Sequence, residues 1–270
     1  MSEQTYETLQ VEHEPQADGR AVVQITLNRP SAGNALSPTM ARELAAVALA
    51  LDEDANVGAV VLTGAGKLFC AGGDLGAMAA AGDAAGALVK GMASDLHVAI
   101  SRLSRMAAPT IAAVNGTAGG AGFSLMLATD LAIASEGAKF TMAYTRAGLS
   151  PDGSSTFFLP RRLGDRRARE LMLTNRLLTA AEAMEWGLLT EVVSADAVVE
   201  RAMELARELA AGPTQAYAAV KTLLNESFEH GLEAQMELET RAIARMAGTA
   251  DGREGIQAFL EKRAPTFVGR

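Results

Sequence analysis

Apolar positions along the chain change period several times, and each change predicts an element. Residues 21–27 (AVVQITL) alternate strongly and residues 6–14 weakly, with Asp18-Gly19 between them, so the chain is expected to open with a β-hairpin. Asn28-Arg29-Pro30 stops the second strand. Ser37-Pro38 offers an N-cap with proline at the first helical position, and Met40, Leu44, Val47 and Leu51 follow at helical spacing. Residues 57–63 and 110–114 are unbroken runs of apolar and β-branched residues, the pattern of buried strands. Leu88, Met92, Leu96, Ile100 and Leu103 predict a helix over 88–105, and short strands are expected over 131–134 and 139–141. Beyond residue 180 the pattern is mostly helical, over 180–186, 196–211, 213–226, 232–247 and 251–262.

Both buried strands empty into glycine. KLFCAGGDL occupies 67–75 behind the first, and NGTAGGAGFSLMLATD occupies 115–130 behind the second, becoming helical from Gly122. The first amides of a helix have no partner inside it, and small residues leave them open to a ligand oxygen. Two such turns that converge would aim two N–H groups at one oxygen, the geometry of an oxyanion hole; the plain alternative is close packing of backbone on backbone. The repeated strand, glycine turn and helix fits stacked ββα turns better than an open doubly wound sheet. No G-x-G-x-x-G follows a first strand, which disfavours a dinucleotide fold. Residues 75–86 are rich in alanine and glycine without a firm period, so a mobile stretch over the site is expected there.

Length and composition narrow the classes of function. A chain of 270 residues accommodates one large domain or a domain with an appendage, and 49% hydrophobic with 21% charged residues argues for a folded chain. The net charge of −8, with no dense basic run, disfavours a nucleic-acid partner. Cys70 is the lone cysteine, which excludes an internal disulfide and gives no metal-ligand spacing; it reads as a small packing residue. The N-terminal stretch lacks a basic segment followed by an apolar one, and no apolar run is long enough to span a membrane, so a cytoplasmic protein without a membrane partner is expected.

FCAGGDL followed by AAVNGTAGGAG, with ITLNRPSAGNALS before them and GLSPDGSSTFFLPRRLG, LTAAEAMEWGLLTEVV and FLEKRAPTFVG after them, resembles the crotonase (enoyl-CoA hydratase/isomerase) superfamily over nearly the whole chain. The resemblance implies an α/β fold, a spiral of ββα units over residues 1–195 that carries an acyl-CoA site, and a helical trimerisation region over 196–270, giving a homotrimer or a homohexamer. It implies an acyl-CoA thioester as substrate, coenzyme A entering as part of that substrate, and neither a metal nor a redox cofactor. The thioester carbonyl would lie between the amides of Gly73 and Ala121, where many relatives carry glycine at the second position. Contacts to coenzyme A would come from Arg29, Ala35, Ala71, Gly72 and Leu75, and from Phe259 with Lys262 across a subunit boundary; the plain alternative for the cations is a solvated surface charge. Asp74 is expected to cap the glycine turn, and Trp186 to sit in the core.

The reaction turns on which base faces the acyl group. By the same resemblance a hydratase places glutamates where this chain has Ser124 and Tyr144, and neither is a general base at neutral pH without help. Asp152 in GLSPDGSST matches the acid of enoyl-CoA isomerases and of ring-epoxide isomerases, in which one carboxylate takes a proton from one carbon and returns it two carbons along. Return of the proton calls for a raised pKa, which burial among Phe157, Phe158 and Tyr144 would supply. Asp152 as a helix cap or turn residue is the local alternative. Ser124 is either a hydrogen-bonding partner near the acyl chain or a small packing residue. Three further readings stay open: hydration driven by Asp152, aryl-CoA dehalogenation with Asp152 as nucleophile and His97 beside it, and an acyl-CoA-binding protein without turnover.

Overall fold

The computed structural model describes residues 5–270. Strands β1 (Leu9–Pro15) and β2 (Ala21–Leu27) pair antiparallel around a turn in which Gly19 has φ +86°. Helix α1 (Pro38–Glu53) starts as its sequence dictates, with the Ser37 hydroxyl accepting from Met40 N at 3.1 Å. After β3 (Val57–Gly64) come α2 (Leu75–Ala80), α3 (Ala85–Arg105), β4 (Thr110–Val114), β5 (Ala118–Gly119) and α4 (Ala121–Leu127). Next are β6 (Leu131–Ser135), β7 (Lys139–Thr141), α5 (Ser155–Leu163), α6 (Asp165–Thr174), β8 (Leu178–Thr179), α7 (Ala180–Glu185) and β9 (Glu191–Val193). The chain ends in α8 (Val198–Ala210), α9 (Thr214–Glu226), α10 (Leu232–Ala247) and α11 (Ala250–Glu261).

The main sheet has the order β1-β2-β3-β4-β6-β9, parallel from β2 onward, and a small second sheet has the order β5-β7-β8. Because side chains alternate along a strand, the unbroken apolar runs serve two cores. Val22, Ala59, Val61, Ile111, Ala113 and Ile133 face α8, while Val23, Val60, Leu62, Ala112, Val114 and Ala134 face the α1 and α3 side. Each fully buried valine, leucine or isoleucine contributes roughly 1.5–3 kcal/mol. The α8 side is thin: a Cβ on Gly58 would lie 2.7 Å from the Ala210 Cβ, so strand and helix touch through small residues. Helix α8 therefore closes one face of the sheet and packs with its core.

Residues 75–86, expected as a mobile stretch, instead form α2 and a 3-10 turn before α3. The Asp74 carboxylate accepts from Ala77 N at 3.0 Å and nucleates α2, and alanine then favours helix. Helices α5 and α6 gave no readable period because each buries only two residues, Ser155 with Leu159 and Ala168 with Leu171. Trp186 is half-buried against the core, with Arg167 and Arg176 guanidinium groups 4.5 and 4.9 Å from its ring. No helix among the described residues is long and apolar enough to cross a membrane.

Candidate active site

The two glycine turns meet edge to edge. Cys70 N donates to Thr117 O at 3.2 Å and Gly119 N to Cys70 O at 2.9 Å, which lays residues 70–73 along the strand that enters α4. Side chains would prevent this approach: a Cβ on Gly122 would lie 2.5 Å from both Cβ and O of Cys70, and Gly72, at φ +119°, would carry one 3.2 Å from Gly119 O. The close packing of the glycines is thus what brings the two turns together. Leu36 N, Asp74 N, Gly119 N and Gly120 N each have a backbone acceptor, whereas among the described residues the N–H groups of Gly73 and Ala121 have none. Gly73 and Ala121 both line one cavity of about 320 Å³.

The same cavity is walled by apolar side chains of Leu36, Met78, Val89, Met92 and Leu96, and Asp152 and Tyr144 stand on its other side. Asp152 lies in the loop between β7 and α5. Its backbone carbonyl, not its carboxylate, takes the turn hydrogen bonds, from Ser155 N at 3.2 Å and Ser155 Oγ at 2.9 Å. The carboxylate is free for other work and accepts from the Tyr144 hydroxyl at 2.7 Å. Tyr144 Oη lies 2.8 Å from Ser124 Oγ. Burial first and the charge of Asp152 second push the Tyr144 phenol well above its usual pKa, so it remains a proton donor. Among the described residues lining the cavity, Asp152 carries the only carboxylate.

Ala71, Gly72 and Leu75, expected to contact coenzyme A, line the cavity. Arg29 sits beside it, bonded to Ala35 O at 2.5 Å and paired with Asp74 at 3.0 Å, so the two segments expected to hold coenzyme A are tied to each other. The Ala77 amide and Arg29 hold the Asp74 carboxyl below its usual range. Ser124 is fully buried and does not itself line the cavity; its hydroxyl meets two residues that do, Tyr144 Oη at 2.8 Å and Asp152 O at 3.1 Å. Phe157 and Phe158 also depart from their expected place, since they line a separate cavity between α5 and α9, with Arg161 stacked 3.5 Å over Phe157. Among the described residues lining the cavity, Tyr144 is the only aromatic beside Asp152. Phe259 and Lys262 lie outside the cavity of their own chain, Phe259 at 83% exposure. Cys70 is buried and its thiol pushed up to about 12 by that burial, which removes thiolate chemistry.

Two further side chains brace the site, of which Asn34 escaped the sequence reading and His97 entered it only as the companion of Asp152 in dehalogenation. His97 Nε2 accepts from Gly153 N at 3.1 Å and so holds the peptide that follows Asp152. Asn34, buried at φ +54°, accepts from Arg29 N and donates to Ala65 O and Leu68 O at 2.9 and 2.8 Å, anchoring the loop that carries Arg29 to the first glycine turn. A buried asparagine four residues before a capped helix was the available signal.

Comparison with known proteins decides the family. The sequence pattern of the enoyl-CoA hydratase/isomerase family matches residues 17–270. The chain belongs to this family. Among relatives of this hydratase/isomerase member, the 1,2-epoxyphenylacetyl-CoA isomerase of Escherichia coli K12 is 40% identical over 93% of this chain and 96% of its own length. The 4-chlorobenzoyl coenzyme A dehalogenase-2 of an Arthrobacter species is 38% identical over 97% and 94%. The crystal structure of enoyl-CoA hydratase from Bacillus anthracis superposes with a TM-score of 0.90 at 34% identity, covering 98% of this chain and 100% of that one. Relatives thus span three reactions on acyl-CoA thioesters, and the fold is that of the hydratase/isomerase family.

Proposed function

We propose that this hydratase/isomerase family member is an acyl-CoA isomerase that moves a double bond by proton transfer through Asp152. The observation that carries the reading is the single carboxylate of the cavity, set in one chamber with two unpartnered amides. With a 3-enoyl thioester bound, Asp152 takes a proton from C2, and the electron pair moves through C1 to the thioester oxygen, which lies between Gly73 N and Ala121 N. The same carboxyl then returns the proton to C4, the enolate collapses, and the double bond rests between C2 and C3, conjugated with the carbonyl. Each well-placed amide supplies about 3–4 kcal/mol to such an oxyanion.

Activation of water by a pair of glutamates would need them at the positions that Ser124 and Tyr144 occupy by resemblance, and among the described residues lining the cavity Asp152 is the one carboxylate. A binder without turnover predicts Asp152 away from the amides, yet it lines their cavity. The test is absorbance at the conjugated enoyl-thioester band. Purified protein is expected to create conjugation from a 3-enoyl-CoA; loss of conjugation from a 2-enoyl-CoA in its place would mean water addition and would sink the reading.

We also infer assembly of copies through α9 to α11. Helix α10 buries no residue within the chain and exposes Leu232 and Ile243, and beside it Leu224, Phe228, Phe259 and Leu260 are also exposed. An apolar surface of this extent is covered in most stable proteins. Sedimentation equilibrium is expected to return a trimer or hexamer mass, and a monomer at micromolar concentration would refute the inference.

A further inference from the structure

The proton carrier alone does not account for the groups built around it. We propose that Tyr144 is a positioning residue of the reaction: held by Ser124, its hydroxyl ties one carboxylate oxygen of Asp152 and leaves the other to exchange the proton with the acyl carbon. This rests on the reading of Asp152 as that carrier.

The direction of the hydrogen bonds follows from counting protons. An ionised carboxylate only accepts, so the single phenolic proton goes to Asp152 Oδ1 at 2.7 Å. The Tyr144 oxygen then accepts from the Ser124 hydroxyl at 2.8 Å, a shorter contact than those from Ser124 to Asp152 O at 3.1 Å and to Gly120 O at 3.3 Å. The chain of donors thus runs from Ser124 to Tyr144 to Asp152, and it begins on α4, the helix whose first amide is that of Ala121. A base and an oxyanion donor are fixed to one element.

The backbone is braced to the same end. Ala143, immediately before Tyr144, and Ser154, two residues after Asp152, hold φ of +51° and +65°, a region that non-glycine residues avoid. Such backbone persists only where the surroundings impose it, and it clusters at functional sites. Gly153 fits under Ser124 only for want of a side chain, since its Cβ would lie 2.8 Å from that of Ser124. On the far side His97 takes the Gly153 amide. The titratable groups touching this unit are therefore Tyr144 at the carboxylate and His97 at the following peptide.

The test reads the carboxylate directly. Carbon-13 NMR of protein labelled at the aspartate carboxyl, with the Asp152 signal assigned by its loss in Asp152→Asn, is recorded at one pH for wild type, Tyr144→Phe and Ser124→Ala. Loss of the hydrogen bond to one carboxylate oxygen is expected to displace the Asp152 signal in Tyr144→Phe, and by less in Ser124→Ala. In the double-bond assay Tyr144→Phe is expected to lower kcat about tenfold or more with KM within about twofold. An unmoved Asp152 signal in folded Tyr144→Phe overturns the proposal whatever the activity; should that variant not fold, an unmoved signal in Ser124→Ala does so. A signal that moves in a protein that never shifts a double bond would support the positioning and sink the isomerase reading instead.

Discussion

Asp152→Asn is expected to lower the double-bond shift on a 3-enoyl-CoA by about a hundredfold to ten-thousandfold while leaving thioester binding nearly intact. Asparagine keeps the size of the side chain and an oxygen to accept from Tyr144, so the loop keeps its anchor at 2.7 Å and only the proton-carrying capacity is removed. The turn does not depend on the carboxylate, because the Asp152 backbone carbonyl makes it through Ser155. The cavity offers no other carboxylate among the described residues to take over, and Tyr144 is held protonated by burial and by the neighbouring charge. Two measurements separate chemistry from binding: initial rates from the growth of enoyl-thioester absorbance, and calorimetric titration with a saturated acyl-CoA. Full activity in the variant would remove Asp152 from the mechanism. Loss of binding in parallel with rate would make it a substrate contact in place of a proton carrier.

The parts of this site that could be read from the sequence are those fixed locally. The runs that became β2, β3 and β4 are long enough for their period to show, and the Ser37-Pro38 cap marks α1 without ambiguity. Gly73, Ala121 and Asp152 were recognisable by motif, and they line one cavity. What stayed hidden depends on residues far apart in the chain. β5 is two residues long and exists because Ala118 pairs with Phe140 of β7, and the contact of His97 with Gly153 spans 56 positions. No window of sequence contains either pair. Ser124 shows the same limit in another form: its position matched the family pattern, but whether it faces substrate or hides behind Tyr144 depends on where a second loop comes to rest. The misplacement of Phe157 and Phe158 is a matter of phase. On α5 the residues turned inward are Ser155 and Leu159, which leaves the two aromatic rings pointing toward α9 and Arg161.

The oxyanion site proposed at Gly73 and Ala121 makes a demand that a side-chain deletion cannot test, since its donors would be backbone amides. Ala121→Pro removes one of them. Position 121 is the first residue of α4, where proline is well tolerated because its φ suits the helix and the missing N–H has no helical acceptor to lose. The residue before it is glycine, at φ +46°, which eases the restriction that proline places on its predecessor. Asp152, Tyr144 and Gly73 keep their places. The expected result is a fall in kcat of about a hundredfold to a thousandfold, equivalent to about 2.7–4 kcal/mol of lost stabilisation. The fall should appear equally in kcat/KM, because the hydrogen bond tightens as charge builds on the thioester oxygen and contributes little before that. Residual activity well above the uncatalysed rate should persist through Gly73. A folded Ala121→Pro protein with unchanged kcat would show that Ala121 does not hold the oxygen, and the enolate would then need a donor other than the amide pair that the two glycine turns bring together.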